Sequence, residues 1–242
     1  MRSKKPATLL PFLLIVLLIV CGFAGVSVST NRYWASNCWT EISDTAQPTT
    51  IRVTGDVATY DKPLRMLLTR RQITDPKTFR LVVHKGRRIM RLYADDKLVK
   101  TYVIALGVEA DTRKKETGDL ATPEGTYYIC SKNFFSPYYR ALNISYPNAV
   151  DARLGLKRKA ITQAEYRQIV QAIKAKRCPP MTTALDGFIS IHGGGFGQAY
   201  GSRDRELVDV YDWTQGSIAV DREGIKELYD YVPVGTVIKI ME

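Results

Sequence analysis

The stretch FRLVVHKGRRIMRLYADDKLVKTYVIAL, residues 79–106, decides the fold. Within it Arg80–His84, Arg88–Tyr93 and Leu98–Leu106 alternate and are rich in β-branched and large apolar residues, the pattern of strands with one face in a core. Ala94-Asp95-Asp96-Lys97 is a polar turn that predicts a hairpin from the last two strands. A β-rich domain therefore begins at Phe79. Downstream, the turn signal Thr122-Pro123-Glu124-Gly125 leads into a strand over Thr126–Cys130, and the sequence from there to Ala160 reads as irregular. Thr162 and Glu165 form a Thr-x-x-Glu capping box, and Tyr166, Ile169, Val170 and Ile173 share one face before Pro179 and Pro180, so a helix is expected between them. Phe188–His192 reads as a short strand ending in Gly193-Gly194-Gly195. Asp221 is placed to cap a second helix running to about Tyr231, and Val234–Ile240 alternates as a closing strand. The class is mainly β with a few helices, α+β.

Upstream of that domain the character changes twice. Val57–Ile73 carries Leu64, Leu67 and Leu68 at helical spacing before Pro76, and 31–50 is polar, so 31–78 reads as a tether with a helical approach. Residues 1–30 place Arg2, Lys4 and Lys5 before an apolar run from Leu9 to about Val26, the layout of a signal anchor or signal peptide. Positive charge on that flank keeps the first residues in the cytoplasm and sends the rest across, so a membrane-attached domain in the cell envelope is expected, periplasmic in a Gram-negative cell. The formal charge of +11 favours an anionic partner. Basic residues are scattered from Arg32 to Lys239 behind an export signal, which argues against nucleic acid. Outside the apolar run lie Cys38, Cys130 and Cys178, enough for one disulfide of unspecified pairing. A bridge between Cys130 and Cys178 would need α-carbons about 4.4 to 6.8 Å apart. No cofactor motif and no metal-ligand spacing is present, so neither is expected.

Two places carry the residue types of a reactive site. His192 ends a strand and is followed by three glycines, which let backbone approach a ligand closely. His84, inside a strand beside Lys85, has no such setting and reads as structural. In Asp212-Trp213-Thr214-Gln215-Gly216-Ser217-Ile218-Ala219-Val220, a hydroxyl behind a glycine suits a nucleophile on a tight turn, with the Gly216 and Ser217 N–H groups as oxyanion donors. Taken alone, a turn serine is the simpler reading.

From about Phe79 to Ile240 the chain resembles the YkuD-type L,D-transpeptidase catalytic domain family. The landmarks occur in order: Arg91-Leu92-Tyr93 with Lys97-Leu98-Val99; Gly118-Asp119 with Thr122-Pro123-Glu124-Gly125-Thr126-Tyr127; Leu142-Asn143-Ile144-Ser145-Tyr146-Pro147-Asn148; Ile191-His192-Gly193; and Gly216-x-Ile218 before Val234-Gly235-Thr236. The resemblance implies a β-sandwich or barrel domain over 79–242 behind an N-terminal transmembrane segment, acting on peptidoglycan stem peptides by acyl transfer. It implies His192 as general base, position 217 as nucleophile and the backbone at Gly216 as oxyanion site, with Gly193, Gly194, Trp213, Thr214 and Gln215 lining the substrate. Phe134–Arg140 would wall a groove, with Arg140 pairing a stem carboxylate, or pack as core. Gln215 and Ala219 stand where the family has His and Arg, which with Asp212-Trp213-Thr214 before them resembles a divergent branch related to murein amidases; Ser217 stands where the family has its nucleophilic Cys. A thiol is partly thiolate at neutral pH, whereas a serine hydroxyl needs a well-placed base. Serine at 217 thus raises a second expectation, a peptidoglycan-binding pseudoenzyme.

Overall fold

The computed structural model describes residues 51–53, 59–185, 187–194 and 208–242. The hairpin expected around Asp95 is present as β2 (Phe79–His84), β3 (Ile89–Ala94) and β4 (Lys97–Val103), paired antiparallel in sequence. Asp95 and Asp96 have φ of 45° and 62°, the left-handed pair that a two-residue turn needs to match the twist of its strands. Further strands are β1 (Ile51–Val53), β5 (Gly125–Asn133), β6 (Ala141–Ile144), β7 (Ser190–His192), β8 (Val208–Val210), β9 (Ile218–Ala219) and β10 (Val237–Met241). Helices are α1 (Leu64–Arg70), α2 (Ala149–Lys157), α3 (Gln163–Lys174) and α4 (Arg222–Tyr231).

Eight strands form one sheet in the order β4-β3-β2-β10-β5-β6-β7-β9, and β1 pairs with β8 apart from it. The β10–β2 and β7–β9 pairs are parallel and the other neighbours antiparallel. Past the end of β4, Ala105 exchanges both backbone hydrogen bonds with Ala219 of β9, at 2.9 and 2.8 Å. The two sheet edges therefore meet, and the sheet curls around its apolar face. That face contributes Leu81, Val83, Leu92, Ile129, Leu142, Ile191, Ile218 and Ile238 to one core, joined by Leu64 and Leu67 of α1 and by Ile225 and Leu228 of α4. The alternation read from the sequence is what buries these residues together.

Thr162 caps α3 with Glu165 completing the capping box, and Asp221 caps α4 through the Gly224 N–H, both at the residues expected. Between Cys130 and Ala160 the chain is not irregular, as expected from sequence, but holds β6 and α2. The strand is only four residues long, and α2 buries Ala152 and Gly155 rather than a stripe of large apolar residues, so neither announces itself by periodicity. The Asn148-x-x-Asp151 capping box was the available signal. Cys130 and Cys178 form a disulfide with α-carbons 5.0 Å apart. Among the described residues no helix is long and apolar enough to cross a membrane; Leu9–Val26, the 31–50 tether and Gly195 lie outside them.

Candidate active site

β7 and β9 run side by side in parallel, with Ile191 opposite Ile218 and His192 opposite Ala219. Ile191 and Ile218 point into the core, so alternation turns Ser190, His192, Ser217 and Ala219 to the other face. Residues 25 apart in sequence thereby share one patch.

His192 is only 3% exposed. Its Nδ1 lies 2.6 Å from the Gly193 carbonyl oxygen, which can only accept, so the proton resides on Nδ1 and Nε2 keeps its lone pair. Burial pushes its pKa below the ordinary 6.5, partly offset by that carbonyl, and the ring is neutral at pH 7. Tyr138 stacks on the imidazole with centroids 4.4 Å apart, and Trp213 meets it edge-on at 5.6 Å. Tyr138 and Trp213 themselves lie 5.8 Å apart, closing an aromatic bracket around the base. Gly193 fits beneath this bracket because a Cβ there would fall 2.6 Å from the Tyr138 carbonyl.

Ser217 is half-buried, and its hydroxyl is engaged by the chain leading into β7. Oγ accepts from the Ser190 N–H at 3.1 Å and donates to the Phe188 carbonyl at 3.4 Å. Among the described residues no hydrogen bond joins Ser217 to His192. Thr214 is buried and holds the turn from within: its Oγ1 donates to the Ser217 carbonyl at 2.6 Å and accepts from the Gly216 N–H at 3.1 Å. The Gly216 N–H expected as an oxyanion donor is thus taken by Thr214, and Thr214, expected against substrate, faces its own turn. Gly216 has φ of 119°, and a Cβ there would approach the Ala121 carbonyl to 2.6 Å, so the close turn requires glycine. Gln215 is exposed and Gly194 packs under Trp213 and Tyr138. Arg140, expected to meet a carboxylate of the substrate, instead donates to Asp230 at 3.0 Å with its guanidinium over Phe134, Tyr139 and Tyr229.

Sequence reasoning missed what anchors Trp213. Arg88, 2% exposed, reaches Asp212 with Nε 2.9 and 3.1 Å from the two carboxylate oxygens, and its Nη2 completes the pair. Asp212 also accepts from the Leu106 N–H at 2.8 Å, and the Trp213 and Thr214 N–H groups both donate to the Leu106 carbonyl, at 3.2 and 3.0 Å. The pair thus ties the Asp212–Ser217 segment to the β2–β3 turn and to the end of β4. An acid directly before Trp213 and a basic residue at a strand start were its only traces in the sequence. Among the described residues no group of His, Cys, Asp and Glu suits a metal ion.

A family model described as the L,D-transpeptidase catalytic domain, YkuD, matches residues 78–240, about two thirds of the chain. Among solved structures, the chain is similar to an L,D-transpeptidase from Xylanimonas cellulosilytica at 13% identity and TM-score 0.37, covering 69% of this chain and 62% of that one. A Bdellovibrio bacteriovorus protein gives 17% identity and TM-score 0.40, with 81% and 53% covered. An L,D-transpeptidase from Mycobacterium smegmatis gives 13% and 0.38, with 68% and 58% covered. The chain therefore spans between 53% and 62% of these structures. No curated protein matches it.

Proposed function

Because the chain belongs to the L,D-transpeptidase catalytic domain family, we propose that the His192–Ser217 face performs acyl transfer on a peptidoglycan stem peptide in the cell envelope, attached to the membrane by residues 1–30. The observation that carries the reading is a neutral, buried histidine with Nδ1 held by a carbonyl, on the same sheet face as position 217 of the neighbouring strand. In the proposed step Oγ of Ser217 attacks the stem carbonyl while Nε2 of His192 takes its proton. The amide bond to the terminal residue then breaks, the leaving amine receives that proton, and the acyl group passes to an acceptor amine or to water. The aromatic bracket of Tyr138 and Trp213 keeps the imidazole in place and shields it from solvent. The Cys130–Cys178 disulfide accords with an oxidising compartment outside the cytoplasm.

One observation favours a second reading, binding without turnover. The Ser217 proton is committed to the Phe188 carbonyl and must turn from it to Nε2 before it can be removed, and a hydroxyl has little intrinsic acidity to offset this. The test is mass spectrometry of the chain incubated with tetrapeptide muropeptides. Ser217→Cys is expected to accumulate an acyl-enzyme, and adding His192→Ala to abolish it. A folded Ser217→Cys protein that binds muropeptide but never acylates leaves the binding reading in place of the catalytic one.

A further inference from the structure

Basic residues occur throughout the domain, but their excess over acids peaks in one segment. Residues 149–178, which form α2, α3 and the approach to the disulfide, hold eight Lys or Arg against two acids, +6 of the chain's formal +11. Both acids are tied to helix starts, Asp151 largely buried and Glu165 at the surface. Asp151 accepts from the Asn148 N–H and the Tyr127 hydroxyl, each at 3.0 Å, and Glu165 accepts from the Thr162 N–H at 2.7 Å. The exposed charge on this hairpin is therefore mostly cationic, with Glu165 held at the start of α3.

Its placement is regular. On α2, Arg153 and Lys157 are exposed and four apart; on α3, Gln163, Arg167, Gln171 and Lys174 form an exposed stripe. No acid stands three or four residues from any of these four cations, although such a neighbour would stabilise the helix, and Arg153 with Lys157 is a like-charge pair. Among the described residues none of the four makes an ion pair. Beside α2 a cleft of about 130 Å³ is lined by Arg113, Lys115 and Arg158, with Asp151 on one wall, extending the basic surface. The hairpin encloses its own small core of Ala152, Ile161, Ile169 and Leu185, and Cys178 fixes its far end to β5, so the charges are presented on a firm support.

We propose that the α2–α3 hairpin is a docking surface for peptidoglycan, recognising the carboxylates of stem peptides neighbouring the one being processed; this rests on the peptidoglycan reading above. Uncompensated cations with interleaved amide side chains match a polymer that repeats carboxylates and amides. None of the hairpin residues belongs to the His192 face, so the surface adds affinity for the polymer without touching the reacting atoms.

The test is co-sedimentation of the purified full chain with sacculi over a range of salt. Arg167→Gln/Lys174→Gln/Lys157→Gln is expected to weaken binding about tenfold at low salt, while Lys97→Gln/Lys226→Gln/Lys239→Gln, with the same loss of charge elsewhere, changes it less than about twofold. Amidating the sacculus carboxylates should release the parent chain and have little further effect on the hairpin variant. Equal weakening by both triple variants, insensitivity to amidation, absence of salt-sensitive binding, or loss confined to anionic phospholipid vesicles each overturns the proposal. Acylation of the Ser217→Cys background by soluble muropeptide separates the two readings. If the surface is wrong but the site is right, acylation persists. Should the site be wrong, acylation is absent while hairpin-dependent binding to sacculi remains.

Discussion

His192 is neutral because burial outweighs the carbonyl at Nδ1, and that sign fixes a pH dependence. Above about pH 6.5 neither folded nor unfolded state protonates it; below, the unfolded chain gains a proton that the native ring resists, so stability is lost as pH falls through that value. In chemical denaturation between about pH 7.5 and pH 5, His192→Gln is expected to lose less stability than the parent; an identical slope means the ring is not desolvated. Ser217→Ala strands the Ser190 N–H and is expected to cost about 1 to 2 kcal/mol in the same measurement. His192 itself was legible from sequence, since a strand-terminal histidine before glycines is a local pattern. The bond from Ser217 to Phe188 and Ser190 was not, because it depends on how β9 registers against the chain entering β7.

At the scale of elements, the Arg88–Asp212 pair is the joint between the β2–β3 turn and the segment that carries Trp213. Asp212→Ala leaves the buried guanidinium with only the exposed Asp111, 3.6 Å away, and is expected to destabilise the fold by roughly 3 to 5 kcal/mol, whereas Arg88→Met with Asp212→Leu recovers part of it, the Leu106 N–H staying unpaired. Both variants are read from urea unfolding midpoints, and Asp212→Ala no less stable than the double variant means that the buried guanidinium does not depend on that carboxylate. What the sequence conveyed at this scale follows the same division. The Asp95-Asp96 hairpin and the Thr162 and Asp221 caps are determined by neighbours within a few residues and were legible; β6, held between β5 and β7, was not, and α2 was missed despite its local Asn148-Asp151 capping box because no stripe of large apolar residues follows it. The Thr214 bridge is local, spanning two and three residues, but the residue types do not say that its hydroxyl turns back on the Gly216 N–H rather than outward.

Over the whole molecule, the disulfide spans 48 residues of chain and encloses β6, α2 and α3. Replacing both Cys130 and Cys178 by Ala is expected to lower unfolding stability by about 2 to 4 kcal/mol, seen as a drop in Tm, while sparing the β2–β4 hairpin. An unchanged Tm would mean that the hairpin core of Ile161, Ile169 and Leu185 is sufficient alone. A different consequence follows from the meeting of Ala105 with Ala219. The circuit of strands is shut by the reciprocal Ala105–Ala219 pair and the neighbouring bridge from Gly107 to Thr214, whose members are separated by most of the catalytic domain, so loop-closure entropy disfavours this contact until nearly everything between has been ordered. The face bearing His192 and Ser217 is therefore assembled late in refolding, and in a chain emerging from the ribosome it does not exist until residues beyond 219 are released. Pulse-labelling exchange during refolding is expected to protect the amides of Leu92 and Val82 well before those of Ala105 and Ala219.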